Sequence, residues 1–178
     1  TEALGVVADF EAPVLWRLVK GVEARGRAAG TFWAGGFVAA RETGEVRAET
    51  IQMGYSLSKL MGELKAADDA LLKIMASQPE IPFPTAFAFA AEALDVSHEA
   101  ALLGLLFSMV ENQMLVCVKS IPLGQVSGQR LLLSLHPAIE AAARHAQVLE
   151  DDELSNWAPG LSLLSMQHEV QYSRIYRS

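Results

Sequence analysis

The sequence is poor in the residues that most active sites need. Its 178 residues include a single cysteine, Cys117, so no internal disulfide can form and nothing calls for an oxidising compartment. Positive charge is scarce: 14 Lys and Arg stand against 21 Asp and Glu, and no basic stripe interrupts the net charge of -7. That balance argues against a nucleic-acid partner. No glycine-rich loop ends in Lys-Ser or Lys-Thr, and no dinucleotide fingerprint follows a strand pattern. Alternating strand patterns and tandem repeats are missing as well. The 4 histidines (His98, His136, His145 and His168) include no pair spaced four apart, and none falls in a Cys-x-x-Cys frame. No basic, apolar leader opens the chain, so the cytoplasm is the expected location. The sequence starts at Thr1 without a methionine, which is compatible with an upstream segment.

What is present is apolar and helical. Hydrophobic residues make up 51% and charged residues 20%, which implies a large core or apolar surface covered by a partner. Pro13 suits a first helical turn, and Val14, Leu15, Leu18, Val19 and Val22 follow at helical spacing. Gly26 and Gly30 punctuate, and Thr31 can cap a second helix through Phe32, Trp33, Phe37 and Val38. Gly35 and Gly36 weaken that helix unless a neighbour approaches closely. The pattern then predicts one long helix from Ala39 to Leu64. Arg41, Glu45 and Glu49 recur every four residues there with Arg47 nearby, which reads as a solvated face with weak intrahelical pairs.

A shorter helix is expected over 66–77, and Pro79, Pro82 and Pro84 mark a loop before a helix from Thr85 to Asp95. Ser97 is placed to cap a long helix that Pro122 ends after Lys119. The stretch from Ala100 to Val118 nears membrane-spanning length, but Glu111, Asn112 and Gln113 interrupt it. A buried bundle helix, with those polar groups paired in the interior or at a dimer seam, is the better expectation, and no membrane role follows. Further helices are expected over 123–135 and 138–149. The acidic connector Glu150, Asp151, Asp152 and Glu153 precedes a last helix from Leu161 into the Tyr172–Ser178 terminus. The whole reads as one all-α domain over 1–178, a bundle of about seven to nine helices.

By spacing alone the chain shows no active site. Cys117 on an apolar helix reads as an inert core thiol. The acidic connector lacks the alternating ligands and central glycine of a calcium loop. A metal site would have to join the distant His168, His145 and Glu169, and no resident cofactor or metal is expected.

Three segments carry a resemblance. One is Glu111-Asn112-Gln113, followed by Val118-Lys119-Ser120-Ile121-Pro122-Leu123-Gly124-Gln125 and Gly128-Gln129-Arg130. The second is the terminus from His168 through Glu169, Gln171, Tyr172, Arg174, Tyr176 and Arg177 to Ser178. A weaker third is Ala39 to Glu49, around Arg41-Glu42-Thr43. Taken in chain order, from Ala39–Glu49 through Glu111–Arg130 to the terminus, they resemble the urease accessory protein F family (UreF). Its N-terminal signature, similar to P-x-G-x-(F/Y)-S-(Y/W)-S-x-G-LE, has no counterpart here.

The resemblance implies a non-enzymatic, all-α, cytoplasmic protein that commonly dimerises. Its implied partners are the urease accessory D/H scaffold protein, a nickel-carrying accessory GTPase (the G protein) and apo-urease. The assembly would couple GTP hydrolysis to nickel insertion. Carried over by residue, Lys119 and Gln125 would flank a corner facing the GTPase, with Arg41, Glu42 and Arg47 as weaker members of that surface. His168, Gln171, Tyr172, Arg174, Tyr176 and Arg177 would order against the D/H partner, since Tyr and Arg are common interface anchors. The alternative is a metallochaperone that holds nickel itself through His168 and other histidines.

Overall fold

In a computed structural model, residues 2–23, 27–67, 69–78, 80–121 and 123–173 are described. The described residues are helical and contain no strand. The chain opens with α1 (Glu2–Val6), a π turn (Val7–Glu11) and α2 (Ala12–Glu23), which follow one another without a break. Pro13 explains the π turn's neighbourhood. It has no N–H for the Asp9 carbonyl one turn earlier, and the Ser155 N–H donates to that carbonyl instead at 3.1 Å. The helix axis therefore carries a defect at Pro13, and a loop from the far end of the chain repairs it.

α2 is the hub. Ala12, Pro13, Val14, Leu15, Trp16, Leu18 and Val19 are all buried, and α2 touches α3 (Arg27–Ala39), α6 (Phe83–Ala93), α7 (His98–Ser120) and α9 (His136–Val148). A helix with a wide apolar face of this kind packs that face into a bundle. Arg17, one of its three charged residues, reaches out of the core to Asp151 and the Leu149 carbonyl, each at 2.7 Å, while lying over the Trp33 ring. Leu15, Leu18, Leu102, Leu105 and Leu106 are fully buried and form the centre of the core.

α4 (Gly44–Glu63) packs along α6 through two devices. Pro82 precedes α6 and offers no side-chain cap, so the Phe83 N–H donates across the seam to Thr50 Oγ1 at 3.1 Å. One turn on, Gly54 lets the Ile81 carbonyl approach: a Cβ there would sit 2.0 Å from the Ile81 oxygen. α5 (Asp69–Ala76) adds Met75 to a smaller cluster with Ile81, Ala86 and Phe89. By contrast, the space around Gly35 and Gly36 is open, so no close neighbour among the described residues accounts for that pair.

Several boundaries differ from the sequence pattern. The expected helix from Ala39 to Leu64 is shorter at its start: α3 ends at Ala39, residues 40–43 form a connection, and Thr43 is extended with its Oγ1 accepting the Val46 N–H at 3.3 Å, starting α4 at Gly44. Ser97 does cap α7, accepting the Ala100 N–H. Only the first half of α7 is the expected interior helix. Leu115 and Val116 are exposed, as are Asn112 and Gln113, so these polar residues do not knit the interior. α7 is nevertheless the one described helix long and apolar enough to cross a membrane by length and composition. After α8 (Gln125–Ser134) and α9, the acidic connector forms a single 3-10 turn (Asp151–Glu153), and α10 (Pro159–Glu169) ends before Tyr172. The last helix thus does not include Tyr172, and Arg174–Ser178, like Pro122, lie outside the described residues.

Gly54→Ala is expected to destabilise the fold by about 2–3 kcal/mol, since a backbone carbonyl cannot yield as a flexible side chain can. Gly35→Ala should be neutral or stabilising by up to about 1 kcal/mol. Urea denaturation of both variants checks this, and equal midpoints would contradict the packing at Gly54.

Candidate functional site

The α3–α4 connection, Ala40 to Thr43, holds an arginine in the interior. Arg41 Nη1 bonds Glu11 Oε1 at 2.8 Å, with only 8% and 14% of the two side chains exposed. The guanidinium lies 4.1 Å from the centre of the Phe37 ring and 5.0 Å from that of Phe10, and the two rings stack on each other. Burial pushes the Glu11 carboxyl above its ordinary value of 4.5; the Arg41 charge and hydrogen bond pull it back, and Glu49 adds to the rise. Arg41 Nε and Nη2 are closed off from water and have no acceptor among the described residues. Arg41 is therefore not part of a solvated helical face with Glu45. Its partner lies thirty residues earlier.

α10 lies against this connection. Thr43 Oγ1 and Ser165 Oγ share a hydrogen bond of 2.8 Å, and the Ser162 hydroxyl donates to Glu42. His168 Nδ1 meets Glu45 Oε2 at 2.6 Å, and the Glu45 N–H donates to Glu169 Oε1 at 3.2 Å. Gly44 permits this approach, because a Cβ there would be 3.2 Å from Glu169 Oε1. Asn156 secures the incoming loop by donating to the Ala40 carbonyl.

Between these elements and α7 lies an open, mainly apolar groove of about 700 Å³. Leu4 and Val7 line one side, Met53 and Phe83 another, and Met109, Asn112, Gln113 and Cys117 a third. Arg41, Glu42 and Thr43 border it together with Ser162 and Ser165 of α10. Two of the sequence segments singled out above, around Arg41 and around Asn112, thus face one depression, although some seventy residues separate them.

The remaining candidates lie elsewhere. Lys119 and Gln125 are exposed at the α7–α8 corner beside Ile121 and Val126. Gln125 also borders a recess of about 180 Å³ with Glu111 and Gly128, where a Cβ on Gly128 would meet Val118 at 2.8 Å. Arg47 is bridged to Glu80 at 3.0 Å on the surface. Gln171 and Tyr172 are exposed, and Arg174, Tyr176 and Arg177 fall outside the described residues. Among the described residues no three His, Cys, Asp or Glu side chains gather as a metal site requires. His145 pairs with Asp9 at 2.9 Å, and His168 pairs with Glu45, so the trio of His145, His168 and Glu169 is not assembled.

A UreF family profile matches residues 2–136. The chain belongs to the UreF family. It is 66% identical over 177 residues to the urease accessory protein UreF of Nitrosospira multiformis, covering 99% of this chain and 78% of that protein. The protein of the same name from a Janthinobacterium strain is 65% identical over 173 residues, covering 97% of this chain and 76% of its own length. That of Ralstonia pickettii is 45% identical over 184 residues, covering 99% of this chain and 79% of its own. The family supports a role in urease maturation.

Glu11 was not among the residues the sequence pattern offered. The available signal was a pair of acids, Asp9 and Glu11, inside the otherwise apolar stretch from Val6 to Leu15. The UreF segment around Arg41 also has a structural task before any partner arrives, because it anchors α10.

Arg41→Met would leave Glu11 buried without its cation and is expected to destabilise by about 3 kcal/mol near neutral pH. A carboxyl whose pKa is raised by folding binds more protons in the native state, so its contribution to stability falls as pH rises from 4.5 through the folded value. Removing Arg41 raises that folded value further. The deficit relative to wild type should therefore be larger at about pH 8 than at about pH 5, as denaturant titrations at both would measure. A deficit independent of pH would remove Glu11 as its source.

Proposed function

We propose that this chain is a non-catalytic scaffold and GTPase regulator in the assembly that inserts nickel into apo-urease. The observation that carries the reading is 66% identity over nearly the whole chain to a protein named urease accessory protein UreF. The distribution of surface chemistry supports it. α10 has no buried residue, yet it presents Leu161, Leu163, Leu164 and Met166, all exposed. α8 adds Val126, Leu131 and Leu133, and the second half of α7 adds Leu115 and Val116. Exposed apolar side chains grouped on one helix, as on α10, are the kind of surface that partner proteins cover.

Within that reading, the terminal segment with Gln171, Tyr172, Arg174, Tyr176 and Arg177 docks on the D/H scaffold protein, continuing from His168 at the end of α10. Lys119 and Gln125, at the α7–α8 corner, meet the accessory GTPase, with Glu42 and Arg47 at a secondary edge. Arg41 acts on that edge from inside, by fixing the connection that carries Glu42. The apolar α7–α8 face is the seam of a homodimer. The whole is a single cytoplasmic domain that holds no resident metal, nickel being the cargo of the assembly.

Co-expression with the accessory proteins of a urease operon tests the division of surfaces. The Tyr172→Ala, Arg174→Ala double variant should lose co-purification of the D/H partner by at least about tenfold while keeping wild-type helicity. Lys119→Ala should retain that partner and lower urease activation. Full activation by Lys119→Ala, or undiminished capture of the D/H protein by the double variant, would remove the corresponding assignment.

A further inference from the structure

The groove between α4 and α7 is walled as a seat for a helix would be. Val46, Thr50 and Met53 line it at helical spacing on α4, and Leu105, Met109 and Asn112 do so on α7. Two such stripes leave a trench into which a third helix can lay its side chains. α7 lines the groove from Leu105 to Cys117, which is about 18 Å of helix and matches roughly three turns of an occupant. Met53, Met109 and Met114 all border it, and the chain has only 6 methionines. The unbranched thioether adapts to the shape set against it, and methionine is concentrated at surfaces that receive varied partners.

The charge of the groove selects its occupant. Among the described residues the lining holds three carboxylates, Glu11, Glu42 and Glu49, and one cation, Arg41, which is already paired with Glu11. Glu42 and Glu49 are exposed, and the Glu49 charge is felt at Glu11 as one cause of its raised pKa. An apolar trench with surplus negative charge at its edge is complementary to one kind of helix, apolar on one face and basic beside it. We propose that the groove binds an amphipathic helix of a partner protein, its apolar anchors entering between Met53 and Met109 and its lysines or arginines facing Glu42 and Glu49. Burial of the anchors supplies the affinity, and the opposite charges fix the register. An acidic helix with the same anchors would add to the repulsion already present.

Cys117 lines the groove and is the only cysteine of the chain, so its alkylation reports occupancy without reference to nickel or urease. The probes are two synthetic peptides of about fourteen residues with identical leucines at helical anchor positions. One carries lysine and the other glutamate at the flanking positions. N-ethylmaleimide labelling of the purified full chain is followed by intact mass. Saturating lysine peptide is expected to slow the labelling at least about tenfold, and the glutamate peptide should need a concentration at least about tenfold higher for half protection. Glu49→Lys should bring that ratio to about one. Glu92→Lys, the same change of net charge at an exposed residue outside the groove, should leave the ratio within about twofold. Absence of protection by the lysine peptide, or equal protection by both peptides, would overturn the proposal. So would equal shifts from Glu49→Lys and Glu92→Lys. Protection that appears on concentrating the chain alone would assign the groove to a second copy. Protection by monomeric dodecyltrimethylammonium at the lysine peptide's potency would make it a site for small cationic amphiphiles, and either result overturns the proposal.

Discussion

The ion pair between Arg41 and Glu11 is the constraint on which the arrangement depends. It joins the π turn of the first helix to the connection between α3 and α4. Two charges removed from water gain little net stability, because desolvation offsets most of their attraction. Their effect is on register. A guanidinium that must meet one carboxylate and lie over Phe10 and Phe37 fixes where Ala40 to Thr43 can run. Once that path is set, the Ala40 carbonyl is offered to Asn156 and the Thr43 hydroxyl to Ser165. The freed Asp9 carbonyl, a consequence of Pro13, takes the Ser155 N–H next to the same knot. Three segments far apart in the sequence are fastened at one place, and α10 hangs from it.

That knot also explains what the sequence pattern could and could not reveal. Local signals were legible where the physics is local. Ser97 caps α7 because a hydroxyl before an apolar run can satisfy a first-turn N–H, and Pro137 restarts α9 after α8 ends. Arg41, Glu45 and Glu49 fit a helical spacing equally well, yet Arg41 is outside the helix and its carboxylate partner comes from the π turn. Charge spacing is degenerate in that way: it says which groups could pair if the segment were helical, not whether a distant acid competes. The Thr43 cap was the decisive local signal, and the run of well-spaced charges masked it.

α7 illustrates a different limit. Its hydropathy is high along its length, but Leu102, Leu105 and Leu106 are buried while Leu115 and Val116 are exposed. Apolar composition records that a face must be kept from water. It does not record whether the cover comes from the same bundle, from another chain or from a lipid phase. The same holds for α10, where helical character was legible from its leucines but their exposure was not. Expectations about Glu111, Asn112 and Gln113 depended on the same unknown, and the exposure of Asn112 and Gln113 follows from the half of α7 on which they sit.

The segments that suggested the UreF family thus divide by physical role. Arg41 and Thr43 are occupied inside the chain, the first by Glu11 and two aromatic rings, the second by a helix cap and Ser165. Glu42 and Glu45 already hold α10 through Ser162 and His168. Lys119, Gln125 and Tyr172 are exposed. A substitution in the first set moves α10 and everything it presents, whereas one in the second set changes only a contact. Loss of a partner after mutating Arg41 is therefore the expected sign of a displaced helix, and contact itself has to be sought at the outward-facing residues.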